Sequence, residues 1–147
     1  MQKLLPPRLF LIFAAMMVGL DRFLPGLQFV PPPVHWSGLG LLALGLGLTL
    51  AAKAQFTRAR TNIYTFSEPD RLVTDGLFRL TRNPMYLGFS VALLGLAVFL
   101  GSLVPMLLAL AYVLISDRWY IAFEENMMRA RFGEDYRRYA RRTRRWI

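Results

Sequence analysis

The sequence contains no cysteine and a single histidine, His35. Without cysteine the chain has no disulfide, thiolate nucleophile, palmitoylation site or cysteine-based metal site. One histidine supplies no histidine pair for a metal, so we predict no metal site and interpret His35 as an interfacial loop residue beside Trp36. The sequence also lacks a glycine-rich phosphate loop and a nucleophile elbow, which excludes the soluble nucleotide-binding and hydrolase folds that depend on them.

Hydrophobic residues make up 55% of the 147 residues, and they form long runs separated by arginine-rich segments. This arrangement is typical of integral membrane proteins. A net charge of +9 would suggest nucleic acid in a soluble protein, but here the basic residues flank apolar runs, where they face anionic lipid headgroups. We therefore predict a membrane protein with a single domain, residues 1–147, and no nucleic-acid partner.

The hydrophobic runs predict an all-α, polytopic fold of four transmembrane helices with a cytoplasmic loop and amphipathic C-terminal helices. The first run follows basic residues as a signal peptide does, but no small-residue cleavage site follows it, so we interpret it as a retained membrane helix. Residues 85–115 are too many for one span, and Gly101-Ser102 divides them into an antiparallel hairpin with a tight turn. The predicted spans are residues 9–24, 37–56, 85–100 and 103–121.

The second span carries four glycines, Gly38, Gly40, Gly45 and Gly47, related in pairs by seven-residue spacings. We expect all four to lie near one face, where another helix approaches closely.

The C-terminal segment is amphipathic and basic. An apolar stripe at helical spacing predicts a helix over about 117–131, a break at Gly133, and a helix over about 134–142. The stripe consists of Met128, Phe132, Tyr136 and Tyr139. We expect the arginines of this segment to contact lipid phosphates: Arg137, Arg138, Arg141, Arg142, Arg144 and Arg145.

Lysine and arginine are distributed unevenly along the chain. The segments 1–8, 53–84 and 118–147 hold 17 of the 18. The positive-inside rule then places both termini and the loop 57–84 in the cytoplasm. The middle loop and the C-terminal segment lie at the same membrane face in this topology, so they can form one site.

Polar residues stand at the entry to the third span. Pro84 suits the first turn of a helix, and Asn83 before it is a plausible N-cap. In that interpretation the entry is a capped helix start, and Arg82 extends its charged end to the membrane interface.

Two adjacent carboxylates, Glu124 and Glu125, lie just beyond the fourth span. Acidic groups close to the bilayer are unfavourable and usually have a function. The sequence leaves open an ion pair of Glu125 with Arg118 or with Arg129.

Three blocks in order, "LVTDGLF" (72–78), "RNPMYLG" (82–88) and "FEENMMRARFGEDYRRY" (123–139), carry a family resemblance. They closely resemble the isoprenylcysteine carboxyl methyltransferase family, in particular its short bacterial members, and more distantly the phospholipid N-methyltransferases. The resemblance covers about residues 57–147. It implies an integral, multi-pass protein of the bacterial inner (cytoplasmic) membrane.

The resemblance implies S-adenosyl-L-methionine as cofactor, bound without a Rossmann domain in a region formed by about 57–88 and 117–147. It also implies that Arg118 orients the substrate, although the register of that arginine differs from the eukaryotic members. Asn83 stands where the eukaryotic motif has histidine, and an amide does not titrate near neutral pH. The implied cofactor-binding residues are Leu72, Val73, Phe78, Arg82, Asn83, Pro84, Met85, Tyr86, Glu124 and Glu125.

The function implied by the resemblance is methyl transfer to a lipophilic acceptor at the cytoplasmic membrane face, with a carboxylate as one acceptor. In-line methyl transfer depends on alignment, and a carboxylate acceptor needs no base. Two alternatives stay open: an NADPH-dependent membrane enzyme similar to the sterol reductases, and a non-catalytic membrane scaffold. The expected partners are the membrane and a lipid or lipophilic small molecule, while the sequence does not predict an oligomeric state.

Overall fold

The computed structural model describes residues 5–24, 27–28, 30–59 and 71–147. These ranges hold helices and no strand, apart from an isolated bridge between Gln28 and Ser102, so the predicted all-α class is confirmed for the part described. The α-helices are α1 (Pro6–Phe23), α2 (Ser37–Arg58), α3 (Pro84–Leu100), α4 (Leu103–Ile115) and α5 (Ala122–Arg142).

The first four helices coincide closely with the four predicted apolar segments. The fourth differs at its end, because α4 stops at Ile115 and the chain continues through a π-helical turn, Ser116–Ile121, into α5. The predicted break at Gly133 is confirmed: this residue has φ 51° and ψ −119°, a backbone conformation that only glycine adopts readily. α5 therefore changes direction between its acidic first turn and its arginine-rich end.

α3 is the central helix of the bundle, since it contacts α1, α2 and α4. Phe10 of α1 stacks on Phe89 of α3 with ring centroids 4.9 Å apart, and Phe13 meets Tyr112 of α4 edge to face at 5.6 Å. Leu93 of α3 is completely buried, and in a bundle surrounded by lipid such a side chain stabilises the fold through van der Waals packing. α1 is thus a packed member of the bundle.

Glycines allow α2 and α3 to pack with their backbones in contact. A Cβ atom on Gly38 or Gly45 would collide with the α3 backbone. Gly40 and Gly47 have no neighbour within 4 Å of such an atom. The expectation that all four share one face was therefore wrong. Residues two positions apart in a helix are rotated by about 200° about its axis, so the pair Gly38 and Gly45 and the pair Gly40 and Gly47 point in nearly opposite directions.

The connection between α3 and α4 is the predicted tight turn. Gly101 adopts the left-handed conformation, with φ 78°, and its N–H donates to the Ala97 carbonyl at 2.9 Å. The hydroxyl of Ser102 donates to the carboxylate of Asp21 at the end of α1. This turn closes the end of the bundle that is farthest from the entry to α3.

Two helical segments among the described residues are long and apolar enough to cross a membrane, Val34–Arg58 and Leu103–Arg142, and the shorter α3 is also apolar. Only 17% and 22% of their most apolar windows are buried. Several of their leucines, including Leu44, Leu50 and Leu107, are exposed. A surface of this kind indicates contact with lipid, because soluble proteins rarely expose large apolar patches. The protein is therefore membrane-associated.

Candidate functional site

The entry to α3 is bound to the C-terminal end of the chain. Pro84 is the first residue of α3, as predicted, and Asn83 occupies the N-cap position. The side chain of Asn83 makes no capping hydrogen bond, however; its amide Nδ2 donates to the Arg145 carbonyl at 3.0 Å. The capping role predicted for this side chain was wrong: its oxygen accepts no backbone N–H of the first turn, and its Nδ2 is bound to a carbonyl 62 residues away in sequence.

Glu125 lies at the centre of a cluster of arginines. Its carboxylate is only 3% exposed and pairs with Arg82 at 2.9 Å, Arg129 at 3.1 Å and Arg145 at 2.7 Å. The Arg129 pair is one of the two alternatives that the sequence leaves open. Arg82 is 13% exposed, so the prediction that it reaches the membrane interface was wrong: the nearby carboxylate holds it inward.

Arg145 is a site residue that the sequence did not predict. It grips Glu125 with two parallel hydrogen bonds, from Nε at 3.1 Å and from Nη2 at 2.7 Å. Its Nη1 also donates to Asp117 in the π-helical turn, at 3.1 Å. The hydrogen bonds to Glu125 raise the pKa of Arg145 above its usual value, so this guanidinium is a fixed positive charge. The expected lipid contact of Arg145 was therefore wrong.

Trp146 and Asp117 complete the contacts of the C-terminal end. The indole Nε1 of Trp146 donates to the Asp117 carboxylate at 2.9 Å. Nothing in the local sequence distinguishes this part of the basic C-terminal run, because the partners lie far away along the chain.

Glu124 faces a different partner from its neighbour. The hydroxyl of Tyr86, in the first turn of α3, donates to Glu124 Oε1 at 2.7 Å. The ring of Tyr86 lies 6.4 Å from that of Tyr120, centroid to centroid. A carboxylate held by a tyrosine next to a second aromatic ring can accept hydrogen bonds from an ammonium or hydroxyl group and offers π faces to a cation.

An aromatic cluster lies beside these charged groups. Val73 and Phe78 pack with Tyr136 and Tyr139 of α5, and Leu72 lies against them. The Tyr139 hydroxyl donates to the Phe78 carbonyl at 2.6 Å. The predicted apolar stripe of α5 is thus confirmed, and it reveals two tyrosines at the candidate site that were assigned only to helix packing.

Leu72 and Val73 also line an open cleft of about 820 Å³ between the end of α2 and the segment 71–80. Gln55 of α2 supports this segment: its amide donates to the Asp75 carbonyl at 2.6 Å and accepts from the N–H of Leu77 at 3.1 Å. Residues 60–70 of the predicted cofactor region lie outside the described residues.

The structure brings the predicted cofactor residues into two adjacent groups. Arg82, Asn83, Tyr86, Glu124 and Glu125 form the charged group at the entry to α3, and Pro84 is buried there. The carbonyl of Met85 accepts a 3.4 Å hydrogen bond from Thr49, which ties the entry to α2. Leu72, Val73 and Phe78 form the aromatic and apolar group.

Arg118 stands apart from both groups. Its side chain is 84% exposed and pairs with its neighbour Asp117 at 3.5 Å. The pair with Glu125 that the sequence left open is not formed. Among the described residues no three histidine, cysteine, aspartate or glutamate side chains are grouped so as to hold a metal ion.

Comparisons with known proteins address the identity of this site. The family model for phospholipid methyltransferases matches residues 33–135. Protein-S-isoprenylcysteine O-methyltransferase B of Arabidopsis thaliana is 29% identical over 139 residues, which are 88% of this chain and 69% of that protein. The fission yeast Protein-S-isoprenylcysteine O-methyltransferase is 31% identical over 121 residues, 80% of this chain and 50% of that protein. An uncharacterized protein of Haemophilus influenzae is 35% identical over 63 residues, 43% of this chain and all of that protein. No solved structure gives a significant match.

The matched region runs from the start of α2 to α5 and includes every predicted cofactor-binding residue. The resemblance found in the sequence is therefore confirmed, and the chain belongs to the phospholipid methyltransferase family.

Proposed function

We propose that this protein transfers a methyl group from S-adenosyl-L-methionine to a lipophilic acceptor at the cytoplasmic face of a membrane. One observation carries the proposal: within the family region, Tyr86 of α3 and Glu124 of α5 meet in a 2.7 Å hydrogen bond. The ring of Tyr86 also lies 6.4 Å from that of Tyr120, so a carboxylate and two aromatic rings are close together there.

The side chains present fit this cofactor. When bound, the cofactor supplies an activated methyl group on a sulfonium cation. The carboxylate of Glu124 is suited to its ammonium or ribose hydroxyls, and the faces of Tyr86 and Phe78 are suited to its adenine or its positive charge. The cleft beside Leu72 and Val73, about 820 Å³, falls within the usual range of small-molecule sites.

The proposed acceptor is a carboxylate on a lipophilic molecule. The names of the plant and fission yeast relatives describe O-methylation of S-isoprenylcysteine. A carboxylate attacks without losing a proton, so the site needs no general base. The arrangement agrees with this: Asn83 is an amide and has no acid–base function, and Glu125 is held among three arginines. The contribution of the protein is then alignment of the two reactants.

We also propose that α1, α2, α3 and α4 each cross the bilayer, with both termini in the cytoplasm. The exposed apolar side chains of α1, the apolar lengths of α2, α3 and α4, and the distribution of lysine and arginine support this topology. The site lies at the basic end of the bundle, where a water-soluble cofactor and a membrane-bound acceptor can meet. Arg118, exposed near this end, is the proposed group that orients an anionic acceptor.

Family membership favours methyl transfer over both alternatives from the sequence. A sterol-reductase-like enzyme would bind NADPH, whose 2′-phosphate the arginine-rich C-terminal segment could meet, but the family match is to methyltransferases. A scaffold would not require the buried carboxylate of Glu125, since stop-transfer ends need only basic residues.

The experiment is titration of the purified protein in detergent with S-adenosylhomocysteine, followed by calorimetry. Binding is expected, with a weaker dissociation constant in Tyr86→Phe and Glu124→Gln. Glu134→Gln, which changes an exposed carboxylate of α5, is the matched control and should bind as the unmodified protein does. Absence of binding by the unmodified protein, or binding of NADPH in its place, would refute the proposed function.

A further inference from the structure

The last residues of the chain form a clamp across the candidate site. After α5 ends at Arg142, the chain becomes extended at Thr143, with φ −125° and ψ 129°, and Thr143 is buried. We call residues 143–146 the C-terminal clamp. They lie against three parts of the site: the entry to α3, the π-helical turn and the first turn of α5.

The backbone of the clamp holds the entry to α3. The N–H of Arg82 donates to the Arg144 carbonyl at 2.9 Å. The Arg145 carbonyl accepts two hydrogen bonds, from the Thr81 hydroxyl and from the Asn83 amide, each at 3.0 Å. Because a carbonyl only accepts, the NH₂ group of Asn83 must point to the clamp.

The side chains of the clamp hold the other two parts. Arg145 binds Glu125 through a bidentate pair of hydrogen bonds, and its Nη1 donates to Asp117. Trp146 donates to the same Asp117. A single guanidinium therefore joins α5 to the π-helical turn, while the backbone of the same residue joins both to α3.

These contacts occupy two of the residues that sequence reasoning placed on the cofactor. The donor group of Asn83 is engaged by the clamp, and the carboxylate of Glu125 is engaged by arginines. The carboxylate of Glu124, by contrast, meets a tyrosine that is itself suited to a ligand.

We propose that Arg145 is a positioning residue, which holds the C-terminal clamp in place so that Tyr86 and Glu124 keep the arrangement that binds the cofactor. Asn83 and Glu125 then serve the reaction through the clamp, without contacting the cofactor themselves. This inference rests on the proposed function, because the ligand whose binding it explains is the methyl donor.

The test is a double-mutant cycle on S-adenosylhomocysteine affinity, with Arg145→Gln, Asn83→Ala and the double variant. Each single change is expected to weaken binding about tenfold, a free-energy change of about 1.4 kcal/mol. The dissociation constant of the double variant should lie within about threefold of that of the weaker-binding single variant, since both changes release the same clamp. Arg145→Lys should recover part of the affinity, because lysine keeps the charge but not the two-pronged contact.

Arg142→Gln is the matched control, since it removes an exposed arginine at the end of α5 and should leave affinity unchanged. Unchanged affinity in Arg145→Gln, or losses that multiply in the double variant, would overturn the inference. If Arg145→Gln does not fold, Trp146→Phe replaces it: it removes only the bond to Asp117 and should weaken binding about threefold, whereas no change would overturn the inference. Failure of the unmodified protein to bind would instead refute the proposed function.

A second measurement follows the stability of the clamp towards proteolysis, without any ligand. Limited trypsin digestion cleaves after arginines in the clamp, and mass spectrometry follows the loss of the terminal residues. Asn83→Ala should speed this loss several-fold relative to the unmodified protein, which has the same cleavage sites, because the change removes a contact that holds the backbone of Arg145. Equal rates would show that the clamp does not depend on Asn83.

Discussion

Replacement of Glu125 by glutamine should destabilise the protein far more than replacement of any single arginine around it. The carboxylate is 3% exposed, and Arg82, Arg129 and Arg145 all pair with it. Glutamine keeps the shape and removes the charge, so the variant measures the charge alone.

The three arginines respond differently to that loss. Arg129 is 49% exposed and can be hydrated, and Arg145 keeps its pair with Asp117. Arg82 is only 13% exposed, and its Nε has no hydrogen-bond partner among the described residues. It therefore becomes a buried charge without a counterion. Breaking a buried pair in this way typically destabilises by about 3–5 kcal/mol. Because only one arginine is strongly affected, we expect Glu125→Gln to lower the free energy of unfolding by about 3 kcal/mol.

The assay is thermal unfolding in detergent followed by circular dichroism. For a chain of this size, about 3 kcal/mol corresponds to a fall of roughly 6–12 °C in the midpoint. Arg129→Gln should lower it by no more than about 2–4 °C, since an exposed pair contributes up to about 1 kcal/mol. Adding Arg82→Gln to Glu125→Gln should restore part of the loss, because the unpaired charge is gone. If Glu125→Gln unfolds at the same temperature as Arg129→Gln, the reasoning is refuted.

Three further changes test other parts of the structure. Gly45→Ala should destabilise the folded protein by about 1–3 kcal/mol or more, because the added Cβ meets the α3 backbone. Gly47→Ala, the control, should be neutral or slightly stabilising. Equal effects of the two changes in thermal unfolding would contradict the packing described. Tyr139→Phe should cost about 1–3 kcal/mol by leaving the buried carbonyl of Phe78 without its donor, measured in the same way. Arg118→Gln should not alter thermal stability, since this side chain is 84% exposed, but it should raise the KM for an anionic acceptor; an unchanged KM would remove Arg118 from the acceptor site.

Local patterns in the sequence were enough to predict the helices. Apolar runs, the Gly101-Ser102 turn and the break at Gly133 depend on nearby residues, so their positions could be read directly. The two glycine pairs of α2 could also have been separated, because the angle between them follows from helix geometry alone.

Long-range contacts could not be predicted in this way. Arg145 belongs to a run of similar arginines, and only the folded chain shows that it turns inward to Glu125 while Arg137 and Arg141 stay on the exposed face with Glu134. Asn83 presents the same difficulty: its pattern fits a helix cap, yet its donor reaches a carbonyl 62 residues away. The family blocks identified the family correctly, but not which side chains hold one another.

The central claim is that the protein methylates a lipophilic carboxylate with S-adenosyl-L-methionine. The most direct measurement is incubation of membranes that contain the protein with methyl-labelled S-adenosyl-L-methionine, followed by extraction of the lipids and mild alkaline treatment. A methyl ester is cleaved by alkali, so the account predicts label in the lipid fraction that is released as volatile methanol, and far less of it with Glu124→Gln. No transfer above control membranes, or label that resists alkali, would contradict the account.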